Sequence, residues 1–65
     1  MDDTRVLNHL VGEIRELIND KAMFIADGRA ADYADYRHVC GQIRGLALAE
    51  QLCKDLVQRL EHDDE

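Results

Sequence analysis

Sixty-five residues make one domain at most, and a chain this short buries only about 60% of its unfolded surface; scaffolds of this size usually rely on a disulfide, a metal or oligomerisation. Eight basic residues stand against fourteen acidic ones, a formal charge of −6; phosphate contacts supply most nucleic-acid affinity, so the balance is wrong for a general nucleic-acid binder while leaving room for a small basic patch on one face. With 46% apolar residues, no Pro and no Trp, and a bulk of Leu, Ala, Ile, Glu, Asp and Arg, the composition is that of an all-α protein.

The chain opens on Met1-Asp2-Asp3, which is acidic and unlike a secretory signal. No apolar run approaches the ~18–20 residues of a membrane span. The chain is therefore expected to be made in a cytoplasm, and kept there or packaged from one. Residues 4–26 predict the first helix. Leu7, Leu10, Val11, Ile14, Leu17, Ile18, Phe24 and Ile25 recur three, four and seven apart as a single apolar stripe. Arg5, Asn8, Glu13, Arg15, Glu16, Asn19 and Asp20 fill the other side. Asp3 or Thr4 is the expected N-cap.

Residues 27–32 predict the turn, with Gly28 at the left-handed position that follows a helix end. Asp32 is the expected N-cap of the second helix, with Asp35 as its capping-box partner. A link this short sets consecutive helices antiparallel. The fold expected is a two-helix hairpin.

The second helix, 33–61, carries two apolar stripes. Tyr36, Val39, Ile43, Leu46, Cys53, Val57 and Leu60 form the one expected to face the first helix. Gly41, Gly45, Leu48, Ala49, Leu52 and Leu56 form another, placed largely on the opposite side by a turn of roughly 100° per residue. A helix apolar on two sides needs two covers, and the first helix supplies one. The second is expected from oligomerisation or from docking on a larger protein. The acidic tail, 62–65, is expected to fray.

Gly41 and Gly45 each cost roughly 1 kcal/mol relative to Ala in a helix interior, and with Ala49 they make a smooth path for a close helix crossing, within the chain or between chains. Arg37 and Arg44 share one side of the helix and are candidates for polar docking of carboxylates, against the plainer reading of a solvated face. Glu50 and Lys21 fall within the inward stripes but too far apart along the hairpin to pair, so each is expected to reach the interface edge on its stem.

Cys40 and Cys53 stand about 20 Å apart along the helix, too far to bridge, since a disulfide needs Cα atoms within about 7 Å. Free thiols are expected, with intermolecular disulfides left open. His9, His38 and His62 join them as the only soft ligands. Without a Cys-x-x-Cys or His-x-x-x-His spacing, no metal site is expected. The chain has no Ser, one Thr and no Gly-rich phosphate loop. No catalytic residue, no cofactor and no enzyme activity are expected.

The run Gly28-Arg-Ala-Ala-Asp-Tyr-Ala-Asp-Tyr-Arg37 followed by Gly41-Gln-Ile-Arg-Gly45-Leu46 resembles a pattern in small acidic helical-hairpin proteins encoded among the head and head–tail genes of tailed bacteriophages. That resemblance implies a virion-associated or assembly role, with the chain made in the host cytoplasm and ending in the virion. It implies no reaction. In plan alone the chain is also similar to the plasmid copy-control hairpins of the Rop type, which dimerise and bind RNA loops. Here the first helix exposes Arg5, Glu13, Glu16 and Asp20, a net-acidic face. The expectation is a structural protein whose partners are itself or larger virion subunits, with no nucleic acid and no membrane. The alternative is a small cytoplasmic regulator, either a Rop-like RNA-binding dimer or an acidic inhibitor of a host protein.

Overall fold

The structure, a computed structural model, describes residues 2–62. Two helices, α1 (Asp3–Ala26) and α2 (Tyr33–His62), pack against each other along their length as an all-α hairpin. The first helix begins one residue earlier than expected, because Asp2 is the cap. Its backbone is extended and its carboxylate accepts from the Thr4 N–H at 3.2 Å, occupying one of the donors a helix start leaves free. The expected caps Asp3 and Thr4 instead lie inside the helix.

At the other end α1 stops on a Schellman motif. The Gly28 N–H donates to the Ile25 carbonyl at 3.0 Å and the Arg29 N–H to the Phe24 carbonyl at 3.2 Å. The geometry requires a left-handed residue, and Gly28 supplies it with φ 72, at no Cβ penalty. The second helix starts on the expected Asp32 cap. Asp32 Oδ1 accepts from the Asp35 N–H at 2.8 Å, and Asp35 Oδ2 reaches back to the Ala31 N–H at 2.9 Å. The reciprocal bond thus goes one residue before the cap, a variant of the capping box. The helix continues through His62, one residue past the expected end; 63–65 lie outside the described residues.

The seam between the helices is thin. Val11 and Ile14 of α1 and Val39 and Val57 of α2 are the buried apolar residues, and among the described residues no large side chain is fully buried. Leu7, Ile18, Phe24 and Ile25 of α1 and Ile43, Leu46, Cys53 and Leu60 of α2 are half-buried. The molecule measures 51 × 16 × 14 Å, with a radius of gyration of 15.1 Å; a compact 65-residue domain would have about 11 Å. One hairpin seam therefore leaves most of both helices in water.

Tyr36 does not join the seam. It is 42% exposed, and its ring stacks on Tyr33 with centroids 6.1 Å apart. The helix start is held by the Asp32–Asp35 cap at the turn, where α1 has already ended, so the first turn of α2 has nothing opposite it to bury a ring.

Candidate interaction surface

Two sets of side-chain bonds cross the seam and give the hairpin two distinguishable flanks. On one, Lys21 Nζ donates to Gln42 Oε1 at 3.0 Å. On the other, Glu50 Oε2 accepts from Arg15 Nε at 3.1 Å and from Lys54 Nζ at 2.8 Å. Glu50 and Lys21 stay apart, as expected. Arg15, expected on the outer polar side, instead reaches across to α2. The hydrogen bond from Lys54, and after it that from Arg15, hold the Glu50 carboxyl below its ordinary value of 4.5.

Helix periodicity assigns the other side chains to these flanks, because residues three, four and seven apart share a side. From Lys21 the ladder on α1 runs to Leu17, Leu10 and Val6. From Gln42 the ladder on α2 runs to Gly45, Ala49, Leu52 and Leu56. This flank is apolar. From Arg15 the ladder runs to Asn8 and Asn19, and from Lys54 to Gln51 and Gln58. That flank is polar, and it also carries Cys40; the Cys40 thiol beside Tyr36, one helical turn away, holds that hydroxyl above its ordinary value of 10.0.

The residues expected to face a partner run from the side of α2 away from the seam round to this apolar flank. Leu48 and Leu52 are each 69% exposed and Leu56 40%, while Ala49 is half-buried and joins the outer stripe to the seam. Leu48 lies farthest from the seam, and Gly41 and Leu52, seven and four residues from it, share that side. A Cβ added at Gly41 or Gly45 would meet nothing within 4 Å, so neither glycine serves a crossing with α1. Arg37 and Arg44 are exposed and form no ion pair among the described residues.

Nor is α1 covered as a single-stripe helix should be. Val6, Leu10 and Leu17 are each between two-fifths and a half exposed. The sequence places Leu10 and Leu17 in the inward stripe, but a two-helix contact covers a narrower arc than that stripe occupies. The signal was present in its width, since a stripe fit for a two-helix seam is narrower than one fit for a bundle.

Comparison with known protein families, with curated proteins and with solved structures found no match. The surface must speak for itself. Both cysteines are free and half-buried, Cys53 on the seam beside Ala49 and Leu56. Among the described residues no three His, Cys, Asp or Glu side chains converge, and no helix is long and apolar enough to cross a membrane.

Proposed function

We propose that this chain is a non-enzymatic assembly protein, a helical hairpin that packs on itself or on larger subunits through the second apolar face of α2. The observation that carries the reading is the exposed run of Leu48, Leu52 and Leu56 beside Gly41 and Gly45. Leaving a large apolar side chain in water forgoes roughly 1.5–3 kcal/mol of burial, and each mid-helix glycine adds roughly 1 kcal/mol of helix cost. Neither is recovered within one hairpin. A close helix contact with another chain recovers both.

The setting in a tailed-phage particle rests on the resemblance of 28–46 to small hairpins encoded among head and head–tail genes. In that setting the partners are a second copy or the head, connector or tail subunits, with Arg37 and Arg44 docking carboxylates at the rim. The test is quantitative mass spectrometry of purified particles. A fixed stoichiometric copy number supports the reading. Presence in infected cells and absence from particles favours the regulator. Saturable binding of an RNA loop at moderate salt, lost in Arg37→Ala/Arg44→Ala, would specify an RNA regulator, although two such contacts allow a salt slope of only about −2.

A further inference from the structure

Five of the nine exposed large apolar side chains among the described residues, Val6, Leu10, Leu17, Leu52 and Leu56, lie on one flank of the hairpin and level with one another, whereas Met23, Tyr33, Tyr36 and Leu48 lie elsewhere. The Lys21–Gln42 and Arg15–Glu50 bonds fix the register of the hairpin. In that register Val6 and Leu10 lie beside the Leu52–Leu56 turn of α2, and Leu17 lies beside Leu46–Ala49. The acidic residues of the middle of α1, Glu13, Glu16 and Asp20, fall on its outer edge. The apolar flank is thus a continuous strip across both helices, bounded by carboxylates on one side and closed at the turn end by Lys21 and Gln42.

We infer that this composite flank binds a second copy of the chain, face to face, to give a four-helix bundle. The inference rests on the proposed role of α2 as an assembly face, and adds α1 to that face and names its occupant. Surface area carries it. The chain exposes 5219 Å², whereas a compact monomer of 7.4 kDa exposes about 4,200 Å². The excess is about 1,000 Å², close to the ~800 Å² that each partner contributes to a standard stable interface. Two amphipathic hairpins joined by their apolar flanks bury that surface in the bundle architecture that helix layers adopt.

The occupant follows from the thinness of the seam. A hairpin with four buried apolar residues among those described has too little core to persist while it waits for a different protein. A second copy is always present at the chain's own concentration, and folding then coincides with dimerisation. Leu10 and Leu17 of one copy and Ala49, Leu52 and Leu56 of the other supply the missing core. The Arg15–Glu50–Lys54 flank stays in water on both outer faces.

The test is sedimentation of the full chain from low micromolar to hundreds of micromolar, beside Leu17→Glu, Leu52→Glu and Gln51→Glu. A dimer is expected, weakened at least about a hundredfold by either leucine substitution, since each buries an unpaired charge, and unchanged by Gln51→Glu on the polar flank. A folded monomer throughout, or a larger assembly, overturns the inference while leaving a heterologous assembly role in place. Loss of association in Leu52→Glu but not Leu17→Glu overturns the composite flank and keeps the α2 face. Association indifferent to both leucines overturns both. Thiol labelling of the wild-type chain, mapped by peptide, is independent of how the variants fold. Cys53 should become slower to react as concentration rises, and by a larger factor than Cys40, which the second copy does not cover; Cys53 reactivity that ignores concentration overturns the dimer.

Discussion

Gly45 and Glu50 illustrate how differently two helix residues five apart can report on the same hairpin. A Cβ added at Gly45 would meet nothing within 4 Å, so a side chain has room to leave the helix there, and Gly45→Leu gains helix propensity. The variant should keep or raise its helical circular dichroism and still associate more weakly in sedimentation, because a leucine there would fill the path proposed for another chain. Unchanged association would remove Gly45 from the contact. Glu50 reports on the seam instead. Its carboxyl is held below 4.5 by Lys54 and Arg15, so its stabilising effect is present above the unfolded value and is lost as pH falls through the lowered folded value. Thermal melts of wild type and Glu50→Gln should therefore differ at pH 6 and converge well below pH 4.5. A gap that stays constant with pH would mean that the carboxylate charge contributes nothing.

At the scale of elements, the turn between α1 and α2 is fixed by two local devices that act separately. Gly28 at φ 72 lets α1 close its last carbonyls, and Gly28→Ala should cost about 1 kcal/mol through left-handed strain. Asp32 caps α2 through the Asp35 N–H, and Asp32→Ala should also cost about 1 kcal/mol. The two together should lower the melting temperature nearly additively, as separate sites do; a double variant no worse than either single one would show that the turn acts as a unit. These devices are also why both helices and the turn were legible in the sequence: glycine, aspartate and the three–four spacing act over a few residues. What spans the seam was less legible. The 100° spacing gives angles around each helix but not which flanks of the two come together, so the sequence did not show that the outer stripe of α2 continues through Ala49 to the flank where Leu10 and Leu17 are left exposed. Arg15 read as solvated because its partner Glu50 is thirty-five residues away. Tyr36 read as core because its spacing is right, but α1 has ended by the first turn of α2.

For the molecule as a whole, opposing demands fall on the same 65 residues. A charge of −6 makes two copies repel, while the proposed contact through the uncovered apolar flank would draw them together. The repulsion acts through water between carboxylates on edges and ends, and salt screens it over about 8–10 Å; the apolar contact is short-range and salt strengthens it slightly. Association should therefore tighten as ionic strength rises toward physiological values, the reverse of an interface built on ion pairs. Folding linked to that association has a further signature that a monomer cannot show. If the flank completes its core with a second copy, each tenfold rise in protein concentration adds about 1.4 kcal/mol to the stability of the dimer. Over a domain of this size that moves the melting temperature by several degrees. Melts recorded at concentrations spanning two decades should shift upward together with the loss of Cys53 labelling. A melting temperature independent of concentration, with full helicity at the lowest one, would mean that the narrow seam of Val11, Ile14, Val39 and Val57 is enough to hold the hairpin alone.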